Sequence, residues 1–190
     1  MEHTMNMTKA ELARACRPFS VPRLSTVVRD DAQVSPDGSW WATRVILFCC
    51  APPEELRPLM TEAAIPRIRT AAYLWKILER DSVEVVVSEV VVGLRFPWVC
   101  VRSGADGKEG WVDGRDLNAM LRLCKGQPTY RAVFVTIGPY SDDAVDVLAV
   151  YNEDGAVIGM VRGCVYSPTY KDYDHHEKVK GEKKNACEIA

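Results

Sequence analysis

The residues best suited to chemistry in this sequence are its seven cysteines. Their number is odd, no two of them form a CxxC pair, and Cys49 and Cys50 are neighbours that a strand would point to opposite faces. A zinc site needs clustered cysteine and histidine ligands, and the one histidine pair, His175-His176, lies in a polar tail. The pattern therefore predicts free, buried cysteines in a reducing compartment and no metal site.

Acid–base catalysis requires titratable side chains that are held in position as a pair. Three of the adjacent acidic pairs fall at positions 30–31, 142–143 and 153–154, in segments of turn character where aspartate commonly bonds the backbone. No histidine lies between His3 and His175, and no glycine-rich phosphate loop, HExxH or GxSxG motif occurs. The sequence therefore predicts a protein that is not an enzyme and has no cofactor.

The C-terminal residues Cys187-Glu188-Ile189-Ala190 loosely match the CaaX signal for prenylation, with four lysines shortly upstream. Lysines beside a lipid anchor favour an anionic membrane surface. However, residues 171–190 hold five lysines and five acidic residues, and glutamate is a poor first residue after the cysteine. A membrane partner is therefore expected only if Cys187 is lipidated.

The composition is that of a globular protein with one or two domains: 190 residues, 47% of them hydrophobic and 26% charged. The net charge of −2 and the lack of a basic stripe interleaved with aromatic residues do not favour nucleic acid as a partner. The N-terminus lacks the pattern of a secretory signal, and no apolar run approaches the roughly 20 residues of a membrane span. We expect a soluble, cytoplasmic protein.

Two short helices are predicted. Thr8, with Glu11 three residues later, forms a capping box that predicts a helix over residues 8–15. Residues 114–124 carry apolar side chains at helical spacing, and Gly126 follows as a terminator. The remaining ordered sequence reads as β-structure.

In the first half of the chain, Ser35-Pro36-Asp37-Gly38 has the pattern of a type I turn. It joins strands predicted over residues 32–34 and 39–50. Along the second of these strands, Trp40 and Trp41 must point to opposite faces, because side chains alternate across a sheet.

Further strands follow, marked by a high density of β-branched and aromatic residues and by Asp-Gly turns. They are predicted at residues 73–78, 82–92, 98–102, 109–112 and 130–138, and in a hairpin that pairs 144–151 with 156–165.

The central strands resemble a bacterial-type SH3 domain over about residues 63–117. Trp98 opens one strand, Asp106-Gly107 lies in the following hairpin, and Gly110-Trp111-Val112 precedes Leu117 by a few residues, which is the order found in that family. The resemblance implies a small β-barrel with short strands and a narrow, side-chain-filled interior.

The expected fold is therefore mainly β. Two arrangements remain open: two or three SH3-like barrels in tandem, or one barrel with β-hairpins packed on it. The corresponding segments are an N-terminal helix in residues 1–18, β-regions in 19–62 and 127–168, the barrel with its short helix in 63–126, and a charged tail in 169–190.

Aromatic residues supply the candidate binding sites. Trp98 and Trp111 are placed to present rings to a peptide, although Trp111 would alternatively fill the barrel. Tyr73 and Trp75 precede them on a predicted strand, and Trp40 belongs to the N-terminal β-region.

We expect a protein-binding module, a structural or adaptor subunit of a larger intracellular assembly. The alternative is an SH3-like module that targets cell-wall peptide or glycan, which is the usual role of the family that the chain resembles.

Overall fold

The computed structural model describes residues 6–17, 32–65, 76, 78–92, 97–136 and 143–164. The described chain is mainly β, as predicted. Its α-helices with fully described bounds are α1 (Lys9–Ala15) and α2 (Gly114–Leu121). Arg57–Leu59 forms a short 3-10 helix, and residues 76 and 78–81 are also helical. Its strands are β1 (Gln33–Val34), β2 (Trp41–Ala42), β3 (Ile46–Phe48), β4 (Thr61–Glu62), β5 (Val83–Val92), β6 (Pro97–Ser103), β7 (Glu109–Asp113), β8 (Thr129–Thr136), β9 (Asp143–Tyr151) and β10 (Val157–Cys164).

Ten strands join in one sheet, in the order β4-β1-β2-β3-β10-β7-β6-β5-β8-β9. The strands β5–β6–β7 and β8–β9–β10 form two antiparallel meanders. Pairing of β5 with β8 and of β7 with β10 joins the two meanders at both sides. The six strands therefore form a closed circuit of hydrogen-bonded pairs, called the circuit below.

Side chains of β9 alternate between two buried regions. On β9, Leu148 belongs to the larger core, whereas its neighbours Val147 and Ala149 belong to a smaller cluster that also contains Met160 of β10. Such alternation follows from the two-residue period of a strand. Strand β9 is thus buried on both of its faces.

Helices α1 and α2 pack into the larger core. The capping box predicted at Thr8 is confirmed, since Thr8 and Glu11 each bond the other's backbone N–H. Leu12 of α1 and Leu117 of α2 are fully buried. The Lys9 Nζ donates to the Cys124 carbonyl oxygen at 2.7 Å, which ties α1 to the segment that follows α2.

Two predicted turns are confirmed. Gly38 N–H donates to the Ser35 carbonyl at 2.9 Å, and Gly155 N–H donates to the Asn152 carbonyl at 3.0 Å. The two glycines have φ of 72° and 77°, in the left-handed region that a residue without a Cβ adopts at low cost. The second turn produces the predicted β9–β10 hairpin.

Two predicted elements are wrong in part. The strand expected over residues 39–50 is split into β2 and β3, because the Thr43 hydroxyl accepts from the backbone N–H of Ile46 at 3.2 Å and closes a turn. The strand expected over residues 73–78 does not extend to its end, since Lys76 and Leu78 are helical.

Candidate functional site

Trp98 and Trp111 lie on the same side of the sheet. In the β6–β7 register, Trp98 is opposite Asp113 and Cys100 is opposite Trp111, so the two tryptophans are diagonal neighbours. The intervening Val99 is fully buried on the other face. Both tryptophans are half-buried, so part of each residue is accessible to solvent.

Strand β10 extends this side of the sheet. It pairs with β7 along the edge that faces away from β6, and Cys164 is opposite Trp111 there. Cys100, Trp111 and Cys164 therefore form a cross-strand row, and the Cys164 thiol donates to the Trp111 carbonyl oxygen at 3.5 Å. Cys100 itself is fully buried, whereas the other residues of this side are half-buried. We call the side of the sheet that carries Trp98, Cys100, Trp111, Asp113 and Cys164 the tryptophan face.

Asp113 fixes one end of the tryptophan face. Its Oδ1 accepts from the backbone N–H of Arg115 at 2.8 Å and so caps α2. The Arg115 guanidinium also bonds both carboxylate oxygens, at 2.6 to 3.2 Å. This bidentate pair raises the pKa of Arg115 and holds the carboxylate in one orientation beside Trp98.

Asp116 lies in the first turn of α2, close to Asp113. Burial is the main cause that raises the pKa of Asp116 to about 6; the negative charge of Asp113 acts in the same direction, and Arg115 has a smaller opposing effect. A half-buried carboxylate that must ionise at neutral pH weakens the fold there.

The pH dependence of this effect can be tested with Asp116→Asn. In the wild type, the penalty is absent below the unfolded pKa near 3.8 and grows as pH rises through about 6. The substitution should therefore raise the free energy of unfolding by about 2 kcal/mol at pH 7.5 and change it little at pH 4. Urea unfolding at both pH values measures the difference.

The control for this experiment is Glu89→Gln, which removes an exposed carboxylate from β5. Its effect should stay within about 0.5 kcal/mol at either pH. An Asp116→Asn protein whose stability gain is equal at the two pH values would contradict the assignment.

The other predicted site residues do not join the tryptophan face. Trp40 is half-buried and packs against the smaller cluster, with Ala42, Leu47 and Met160. Tyr73, Trp75 and Cys187 lie outside the described residues.

The thiols are poorly suited to nucleophilic chemistry. Cys16, Cys49, Cys50, Cys100, Cys124 and Cys164 are free. Burial raises the pKa of each of these six thiols, that of Cys164 and of Cys49 to about 12. They are therefore protonated at neutral pH, whereas a nucleophile must be a thiolate.

Among the described residues, no three histidine, cysteine, aspartate or glutamate side chains are grouped to hold a metal ion. In the same part of the chain, no helix combines the length and the apolar character that crossing a membrane requires.

Sequence reasoning had indicated the two tryptophans but not Asp113, Asp116 or Cys164. The Asp113 cap could have been found, because an aspartate immediately before a helical pattern is a common N-cap. Cys164 could not, because it reaches the face only through the pairing of β7 with β10.

Comparison with known proteins finds no relative of this chain. No protein-family model matches it, and neither curated proteins nor solved structures include a significant match. The candidate site therefore rests on its own residues and their geometry.

Proposed function

We propose that this chain is a non-enzymatic binding module that docks an extended segment of a partner protein on the tryptophan face. The observation that carries the proposal is the diagonal placement of half-buried Trp98 and Trp111 on one side of adjacent strands. Large aromatic rings supply contact area at low entropic cost and are enriched among the residues that dominate binding energy.

The rigidity of the surface supports this role. Trp98 and Trp111 stand on paired strands, and the Asp113–Arg115 pair anchors the adjoining helix. A preorganised surface loses little conformational freedom on binding, so more of the contact energy appears as affinity. The protonated thiols support a binding role rather than a catalytic one.

We also propose that the circuit is a single small β-barrel with the β1–β3 strands packed on it, the second of the two arrangements that the sequence left open. Its central meander, β5–β6–β7, contains the residues that resemble a bacterial-type SH3 domain. Closure of this meander by β8 and β10 supports one barrel, since the pairing crosses the predicted boundary between residues 126 and 127.

The test is affinity capture with the full chain from a lysate of its own source, compared with Trp98→Ala. We expect a partner that the wild type retains and the variant loses, because truncating a central aromatic contact costs about 2 kcal/mol or more, roughly a 30-fold loss of affinity.

The matched control is Trp40→Ala, which truncates a half-buried tryptophan outside the tryptophan face and should retain the partner. Far-UV circular dichroism checks that both variants fold. Equal retention by all three proteins would overturn the proposal, as would a strictly monomeric protein with no stable partner. Cosedimentation with cell-wall material that depends on Trp98 would favour the glycan or wall-peptide alternative.

A further inference from the structure

A groove of about 550 Å³ lies over the start of β5 and β8. None of the residues that line it belongs to the tryptophan face. Polar residues of its lining include Asn6, Glu84, Thr129, Arg131 and Tyr151, and the turn between β6 and β7 contributes Gly104 and Ala105.

Arg131 is held in one orientation at this groove. Its Nε donates to the Ser82 hydroxyl at 2.9 Å, and its Nη2 donates to the Ser82 carbonyl oxygen at 2.7 Å. The Ser82 hydroxyl in turn donates to the Leu78 carbonyl oxygen, which fixes the acceptor itself. These bonds occupy the side edge of the guanidinium and leave its end-on pair, Nη1 and Nη2, with unused donors.

The nearest acidic group satisfies this end-on pair only weakly. Glu84 is opposite Arg131 in the strand register, but its carboxylate lies 3.7 Å from Nη1 and its side chain is 88% exposed. An exposed pair at that distance contributes little and exchanges readily with another carboxylate. Glu84 therefore competes for Arg131 without closing the site.

Further hydrogen-bond donors belong to residues that line the same groove. The Asn6 side-chain oxygen accepts from the Val87 N–H at 3.1 Å, so the amide nitrogen of Asn6 remains as a donor. Thr129 contributes an exposed hydroxyl. Tyr151 is close enough for the Arg131 charge to oppose the upward effect of burial on its pKa.

We propose that this groove binds the carboxylate of a small acid or of a peptide C-terminus, end-on through Arg131. A planar monoanion matches the two parallel N–H groups of the fork. A phosphate dianion fits less well, because the Glu84 charge repels it more strongly. The site is independent of the proposed docking function.

The test is an NMR titration of the full, ¹⁵N-labelled chain with sodium acetate, with N-acetyl-trialanine and with its C-terminal amide. Sodium chloride at equal ionic strength corrects for screening. We expect saturable shifts of the Gly104, Ala105 and Arg131 signals, with a dissociation constant on the order of 1 mM for acetate. The amide should give no saturable shift.

The two carboxylate probes distinguish the source of the ligand. Binding of the trialanine acid about tenfold more tightly than acetate would assign the groove to a peptide C-terminus, since the extra contacts come from the peptide. Equal binding would assign it to a small acid. Both results support the carboxylate site.

Variants then test the role of Arg131. Glu84→Gln removes the competing carboxylate from an exposed position and should tighten acetate binding about threefold. Arg131→Lys loses the fork and should weaken it about tenfold. The control Arg162→Gln, on an exposed residue that does not line the groove, should bind as the wild type does.

If Arg131→Lys fails to fold, the acetate affinity of Glu84→Gln still tests the proposal. Absence of a saturable shift up to about 0.1 M acetate would overturn the proposal, and so would wild-type affinity in Glu84→Gln. Trp98→Ala should leave the acetate shifts unchanged, so failure at this groove and failure of the docking function are separable.

Discussion

Replacing Gly163 with alanine is expected to destabilise the protein by about 3 kcal/mol or more. A Cβ at Gly163 would overlap the carbonyl group of Val145 on β9. The obstacle is backbone rather than a flexible side chain, so relief requires β9 or β10 to shift. The φ of Gly163 is not in the left-handed region, and the expected cost therefore comes from lack of space alone.

The midpoint of urea unfolding measures this loss, with Gly104→Ala as the matched control. Gly104 lies in an exposed turn, and a Cβ there would meet nothing within 4 Å. Its substitution should change stability by less than about 0.5 kcal/mol. Equal midpoints for the two variants would show that β9 does not approach β10 as closely as the structure places it.

Strand β9 also explains why position 110, in the SH3-like sequence pattern, is a glycine. A Cβ at Gly110 would also collide with Val145, with its side chain and its backbone nitrogen. Two glycines on adjacent strands, β7 and β10, thus make room for one residue of β9. The sequence indicates that a strand changes course at Gly110, but it does not identify the strand that packs against it.

Local features of the fold could be predicted because a few neighbouring residues determine them. The Thr8 capping box and the turns at Gly38 and Gly155 each depend on residues within four positions of one another. The placement of Trp98 and Trp111 on one face also depends on a short hairpin, because the register of β6 with β7 determines which side chains share a face. These features need no knowledge of distant contacts.

The closure of the circuit could not be predicted in this way. Pairing of β5 with β8 and of β7 with β10 joins segments that are far apart in the chain, and many valine-rich strands would serve equally well as partners. For the same reason, Cys164 on the tryptophan face and the cross-strand pair of Glu84 with Arg131 were not apparent from the sequence.

The split between β2 and β3 was missed because threonine is also a common strand residue, so Thr43 did not signal a turn.

Trp41→Ala is expected to have an effect of similar size, about 3–5 kcal/mol, because Trp41 is the largest fully buried side chain among the described residues. The ring of Trp41 stacks on Phe48, with ring centroids 3.7 Å apart and an interplanar angle of 8°. These residues are opposite each other on β2 and β3, so the stack holds that hairpin together.

The variants Trp41→Phe and Trp40→Ala serve as controls in urea unfolding. Phenylalanine retains an aromatic ring against Phe48 and should cost less than alanine at the same position. Trp40 is only half-buried, and its truncation should also cost less than that of Trp41. If Trp40→Ala were as destabilised as Trp41→Ala, the stack of Trp41 on Phe48 would not be the contact that distinguishes the two tryptophans.

Hydrogen exchange in Trp41→Ala locates the damage. The β1–β4 strands reach the circuit through β3, which pairs with β10 over three residues, whereas β9 and β10 pair along most of their length. Loss of the stack should therefore accelerate exchange at β2 and β3 far more than at β6 and β7.

The tryptophan face stands on β6, β7 and β10, so a Trp41→Ala protein that still folds should retain the partner that Trp98→Ala loses. Destabilising the fold and removing the docking surface can thus be separated in one chain.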